Sequence, residues 1–176
     1  NVWSRAPGFL EGVFSLFARA GTDTVYAGTE RQGVWRSDDA GATWKQSSDG
    51  IVPPSVSQVA STPDGGFLFA ATVAGFFWSQ DAGQSWTPQQ TLGIAFAVTV
   101  DLTRPRRVLF GGPNGALFLS NDAGNSFQWF GRGLPLEAVK SLKSIPFFET
   151  YAVLGNGSVW SLGYDGTEWS RVFQRD

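Results

Sequence analysis

A short phrase returns along this chain at an almost constant interval. It reads Ser37-Asp38-Asp39-Ala40-Gly41-Ala42-Thr43-Trp44, then Ser79-Gln80-Asp81-Ala82-Gly83-Gln84-Ser85-Trp86, then Ser120-Asn121-Asp122-Ala123-Gly124-Asn125-Ser126-Phe127. The common pattern is Ser-x-Asp-x-Gly-x-(Ser/Thr)-aromatic, and its aspartates lie 42 and 41 residues apart. A fixed period of that length announces a repeat architecture, in which each copy is one supersecondary unit. A fourth copy has decayed: Trp160-Ser161 is followed by Tyr164-Asp165-Gly166-Thr167-Glu168-Trp169, with the acid displaced and the closing aromatic in place. Trp3, Trp44, Trp86, Phe127 and Trp169 continue the same spacing, and Val2-Trp3-Ser4-Arg5 resembles Glu168-Trp169-Ser170-Arg171. The chain is therefore expected to open on the outer strand of one unit (residues 1–5) and to run through four more.

One unit divides into four strands. In the first, Gly12 to Ala18 is an apolar inner strand, Gly21-Thr22-Asp23 turns it, and Thr24 to Gly28 returns. Glu30 to Gly33 turns again, Val34 to Ser37 is the third strand, the phrase is a hairpin, and Trp44 to Ser47 is the outer fourth. The same reading places strands at Val56–Ser61, Phe67–Ala71, Phe76–Ser79 and Trp86–Gln89, then Ile94–Val100, Val108–Gly111, Leu117–Ser120 and Phe127–Phe130, then Val139–Ile145, Tyr151–Leu154, Val159–Leu162 and Trp169–Phe173. Four antiparallel strands per roughly 42 residues describe a β-propeller blade. The expected fold is all-β, with residues 1–176 forming one propeller whose blades cover about 12–47, 56–89, 94–130 and 139–173, as part of a larger ring. A WD40 repeat shares the period but needs a Gly-His pair, and this chain has no histidine.

Composition removes several chemistries. With no His and no Cys, a Ser-His-Asp or Cys-His triad, imidazole acid–base work, His- or Cys-based metal ligation and disulfides are all excluded. No cofactor or metal is expected. The net charge is −2 and no basic run alternates with aromatics, so a nucleic-acid footprint is lacking; Arg104-Pro105-Arg106-Arg107 reads as a solvated turn. No segment reaches the ~18 apolar residues of a membrane span.

The phrase resembles the Asp box, or bacterial neuraminidase repeat, found in sialidases, sortilin-type receptors, xyloglucan-cleaving glycosidases and photosystem II assembly factors. Val25-Tyr26-Ala27-Gly28-Thr29-Glu30 with Gly33-Val34-Trp35-Arg36-Ser37 extends the likeness, which covers nearly the whole chain. The resemblance implies a propeller whose Asp boxes are structural and face away from the ligand. The spacing agrees, because each aspartate belongs to its own unit and cannot pair with another over one substrate atom. Ser37, Asp39, Gly41 and Trp44, Ser79, Asp81, Gly83 and Trp86, and Ser120, Asp122, Gly124 and Phe127 are thus assigned to holding hairpins: glycine for a positive φ, the acid for loop N–H groups, the aromatic for packing.

A ligand is expected on the other face, where second-to-third turns meet blade-to-blade connections. Glu30, Arg31, Gln32, Asn114, Arg132 and Leu134 are the binding candidates there, beside Thr72, Val73, Pro113, Asn156, Asp49, Ile51 and Glu137. The arginines do not recur at equivalent positions, so a sialidase cluster is not found. A xyloglucan-cleaving enzyme needs two carboxylates on loops of different blades; Asp49 and Glu137, both on blade connections, are the candidates, on loops too short for a glycan groove. Asn156-Gly157-Ser158 matches a glycosylation sequon. The function expected is a non-enzymatic binding or assembly scaffold for a protein or glycan, extracellular or periplasmic, with open blade edges covered by further blades or another chain. The alternatives are a piece of a glycoside hydrolase whose catalytic residues lie elsewhere, and an assembly factor for a photosynthetic membrane complex.

Overall fold

The computed structural model describes residues 12–89, 93–147, 149–163 and 166–174. The expected outer strand at 1–5, and Tyr164-Asp165 of the fourth phrase, lie outside the described residues. Sixteen strands form four antiparallel four-stranded sheets, and no helix occurs among the described residues. The first sheet holds β1 (Val13–Ala18), β2 (Val25–Thr29), β3 (Val34–Ser37) and β4 (Lys45–Gln46). The second holds β5 (Val56–Ser61), β6 (Leu68–Thr72), β7 (Gly75–Ser79) and β8 (Thr87–Gln89). The third holds β9 (Ala97–Val100), β10 (Val108–Gly111), β11 (Leu117–Ser120) and β12 (Gln128–Trp129). The fourth holds β13 (Val139–Ser144), β14 (Thr150–Leu154), β15 (Val159–Leu162) and β16 (Ser170–Phe173). Within each sheet the strands lie in chain order, so each sheet is a meander. The described residues form a β-propeller of four four-stranded blades, the four full units that the repeat predicts.

Blade order follows from what the inner strands bury. All four residues of β9 and four of the six in β5 are buried, with Ser57 and Gln58 half-buried, because both faces of those sheets are covered by neighbours. Three apolar cores fill three seams. Tyr26 and Val34 of blade 1 meet Val56, Val59, Leu68 and Phe77 of blade 2. Phe69, Ala71 and Phe76 of blade 2 meet Val98, Val108 and Phe110 of blade 3. Leu109, Leu117 and Leu119 of blade 3 meet Val139, Leu142 and Leu154 of blade 4. None of these three cores joins blade 4 to blade 1.

The second seam is the most aromatic. Phe76 stacks on Phe69 with centroids 5.6 Å apart and stands edge-on to Phe110 at 5.7 Å and to Phe127 at 5.2 Å. Such offset and edge geometries suit the ring quadrupole and add to the burial term.

Near the axis, Gln58 ties three blades. Its Nε2 donates to the Leu142 carbonyl at 3.1 Å, and its Oε1 accepts from the Val98 N–H at 3.3 Å.

Candidate functional site

The two ends of the ring are built differently. On one end, the β1–β2 turns lie beside the motif hairpins: the Ala40 N–H donates to the Asp23 carbonyl, and the Ala123 N–H to that of Arg106. On the other, the β2–β3 type turns lie beside the blade connections. There Gly33 N–H donates to the Pro54 carbonyl, Ala95 N–H to that of Thr72, and Gly115 N–H to that of Glu137. The strand order makes this unavoidable, because the third strand and the connection to the next blade must start and finish at the same end.

Each motif hairpin repeats one bonding pattern. Ser37, Ser79 and Ser120 each donate to the aspartate two residues on, at 2.7 Å in all three copies. The same hydroxyls accept from the N–H of Gly41, Gly83 and Gly124. The aspartates then accept from the N–H and hydroxyl of Thr43, Ser85 and Ser126. Those hydroxyls first, then the N–H groups, hold the carboxyls of Asp39, Asp81 and Asp122 down to about 2. Gly41, Gly83 and Gly124 have φ of 92, 84 and 89°, and the alanine before each also lies at positive φ, 55 to 61°. Each carboxylate thus accepts three groups of its own hairpin, which ties it to the turn.

The hairpins also dock sideways. The Gly83 carbonyl accepts from Ser47 Oγ at 2.7 Å, and the Ala82 carbonyl from Tyr26 Oη and Arg36. Gln89 of blade 2 donates to the carbonyls of Gly124 and Asn125. Trp86 Nε1 reaches the Ser47 carbonyl at 2.8 Å, and Trp169 Nε1 the Phe130 carbonyl at 3.1 Å. The decayed fourth copy thus keeps the aromatic's inter-blade bond.

The binding candidates fall at different places. Glu30 and Arg31 form an exposed ion pair of 3.8 Å on the turn after β2. Gln32 is held in that turn, its N–H on Thr29 Oγ1 and its carbonyl taken by Gln46. Asn114 is exposed at φ 53°, a left-handed position that asparagine tolerates better than most residues. Arg132 and Asp49 occupy matching seam positions: their carbonyls accept the N–H groups of Trp169 and Trp86. Arg132 therefore sits between blades 3 and 4, and Asp49 between blades 1 and 2, in a polar groove of about 860 Å³ that also involves Arg36, Lys45 and Gln84. Glu137 lies on the connection into blade 4, so the two acids belong to different seams. Leu134 is half-buried against the core between blades 3 and 4.

The residue that sequence reasoning passed over is Leu136, 86% exposed. On the same face Val52 is 77%, Ile94 46% and Val73 44% exposed. Each sits on a turn or connection, where strand alternation carries no information. No group of three acids that could hold a metal occurs among the described residues, and no helix there is long and apolar enough to cross a membrane.

No protein-family model matches the chain, and no curated protein matches it. Solved structures do. An ancestral GH74 enzyme superposes with a TM-score of 0.79 at 19% identity, over 100% of this chain and 26% of that one. YCF48 from Cyanidioschyzon merolae gives 0.73 at 14% identity, over 100% of this chain and 61% of that one. The WD40 repeats of RRP9 give 0.72 at 11% identity, over 96% and 53%. The chain thus spans about a quarter of the GH74 enzyme and a little over half of the other two, and at these identities the likeness is one of fold: a β-propeller.

Proposed function

We propose that this chain is an Asp-box propeller acting as a non-enzymatic binding or assembly module, which takes a protein partner on the face formed by the β2–β3 type turns and the blade connections. The observation that carries the proposal is the set of exposed aliphatic side chains there, Val52, Val73, Ile94 and Leu136, one or more on the loops of each successive blade junction. Exposed aliphatic groups on a rigid frame suit a protein surface, whose interface cores are depleted of charge. The Glu30–Arg31 pair lies at the rim of this face and would set orientation more than affinity. On the opposite end the polar groups of the three motif hairpins bond one another. Propeller frames serve unrelated functions, so the reading rests on these loops and not on the likeness to GH74 enzymes or YCF48.

The test compares baits in quantitative affinity capture followed by a binding titration with the recovered partner. Leu136→Asp and Val52→Asp should weaken the complex at least tenfold, a loss of about 1.4 kcal/mol or more. Asn121→Ala, on the hairpin face, should leave it unchanged. A complex kept by the first two variants and lost by the third would put the interface on the wrong end. The same protein should leave xyloglucan, sialosides and aryl glycosides uncleaved; hydrolysis that Asp49→Asn or Glu137→Gln abolishes would replace the binding module with an enzyme.

A further inference from the structure

The axis of the ring holds two cavities that share Leu16, Phe17, Leu102 and Lys143. The inner one, about 90 Å³, is bounded by the first strand of every blade and is polar, with Gln58, Thr99 and Ser144 on its wall. The outer one, about 300 Å³, is the mouth on the hairpin face, where Arg19 and Pro63 come from the turns after β1 and β5. Its wall is mostly hydrocarbon: Leu16, Phe17, Pro63 and Leu102. Leu16 and Leu102 are exposed there, at 68% and 41%. Its size is at the lower end for small-molecule sites, roughly 300–1,000 Å³.

The charge at this mouth is one-sided. Neither cavity has an Asp or Glu on its wall, although the chain as a whole carries −2. Lys143 stands where blades 1, 2 and 3 have Phe17, Ala60 and Thr99, each opposite the matching residue of its second strand. Those positions are wholly or partly buried; Lys143 is exposed and has no ion pair or hydrogen bond among the described residues. Arg19 places one guanidinium nitrogen on the Asp64 carbonyl, while its buried Nε has no partner. The Asp64 carboxylate, which feels Arg19, accepts from Thr62 and Gly66 instead of closing an ion pair with it. Lys143, with no ion pair among the described residues, and Arg19, which the Asp64 carboxylate feels without forming an ion pair with it, thus border an apolar funnel.

We propose that this mouth binds a small organic carboxylate, with its hydrocarbon against Leu16, Phe17 and Leu102 and its anionic end between Arg19 and Lys143. A carboxylate on a short hydrocarbon matches both halves of the wall. A polyanion would leave the apolar half bare, and a cation or a sugar would leave the charges uncompensated. The chemistry is shared by a free acid and by the C-terminal residue of a protein chain. The site is at the opposite end from the proposed protein-binding face and does not depend on it.

The test titrates the whole chain with hexanoate, hexylamine and hexanol, read by calorimetry and by the methyl resonances of Leu16 and Leu102. Hexanoate should bind in the millimolar range and shift both methyls, while hexylamine and hexanol should not. Lys143→Gln should weaken hexanoate at least fivefold, and Leu102→Ser should do so without altering the fold. Leu136→Asp, at the far face, should leave hexanoate binding as it is. A peptide ending in leucine with a free carboxylate is compared with its amide. Tighter binding than hexanoate, lost on amidation, assigns the site to protein C-termini; weaker binding than hexanoate assigns it to free acids. An equal response to hexylamine, an unchanged affinity in Lys143→Gln, or no methyl shift with hexanoate overturns the proposal.

Discussion

Asp81 accepts three groups with one carboxylate: the Ser85 N–H at 2.9 Å, the Ser85 hydroxyl at 2.5 Å and the Ser79 hydroxyl at 2.7 Å. An asparagine keeps the shape but accepts through one oxygen and carries no charge. Asp81→Asn should therefore lower stability by about 1 kcal/mol, and Asp81→Ala by up to ~2, measured by urea denaturation. The hairpin's exposure keeps both values modest, because water can reach the freed donors. The pH dependence follows from the same bonds. These carboxyls titrate near 2 when folded and near the ordinary ~3.9 when unfolded, so their contribution is complete above about pH 4 and disappears as the pH falls through about 2. Asp38, Asp64 and Asp101, also held low, add to the loss in this range. The melting temperature should drop between pH 4 and 2, and the triple variant Asp39→Asn, Asp81→Asn, Asp122→Asn should show a shallower drop. An equally steep drop in that variant would assign the acid sensitivity to other groups.

At the scale of the hairpin, the closing aromatics are not equivalent. Trp86 is buried, and its Nε1 bonds the Ser47 carbonyl of the preceding blade as well as the Gly83 carbonyl of its own turn. Trp44 is half-buried and bonds the Gly41 carbonyl of its own turn. Trp86→Ala should cost ~3–5 kcal/mol, as large aromatic deletions in cores do, and Trp44→Ala clearly less; equal losses in thermal denaturation would contradict the inter-blade role. The sequence distinguishes these elements only in part. The strand expected at Val56–Ser61 is β5 to the residue, and Leu117–Ser120 is β11. Outer strands are shorter than expected, two residues in β4 and β12: the closing aromatic stands before the strand, and past it only the Ser47 and Phe130 N–H groups still reach the third strand. The strand expected at Ile94–Val100 begins at Ala97, since Ala95 has turned its N–H toward Thr72 of blade 2. Neither the left-handed alanines at 40, 82 and 123 nor the register shift between Val13 and Ser15, repeated at Val56/Gln58 and Val139/Ser141, leaves a compositional trace. Turn chemistry is local, so the sequence could name the turn that carries Glu30 and Arg31; that Leu136 is exposed while Leu134 is half-buried depends on which side of the loop the next blade covers.

For the molecule as a whole, the decisive asymmetry is between equal positions in unequal surroundings. Leu16, Val59, Val98 and Leu142 hold the same place on the four inner strands, one residue past the irregularity or opposite the same second-strand residue. Val59, Val98 and Leu142 are 4%, 0% and 0% exposed, while Leu16 is 68%. Val13 departs from Val56 and Val139 in the same way, at 42% against 0% for both. The local sequence treats these residues alike, so the difference comes from the seam: blades 2, 3 and 4 lie against a preceding blade, and blade 1 has no such apolar core among the described residues. Apolar side chains left in this state stabilise nothing and invite association through the bare sheet. Leu16→Ser should therefore change stability by less than ~0.5 kcal/mol, whereas Val59→Ser, which removes hydrocarbon and buries a hydroxyl in the first seam, should cost ~2 kcal/mol or more. In sedimentation at rising concentration the parent chain should self-associate, and Leu16→Asp should suppress this while leaving the melting temperature unchanged. A Leu16→Ser loss as large as that of Val59→Ser would mean that blade 1 is covered in solution by blade 4, with the fourth seam sealed like the other three.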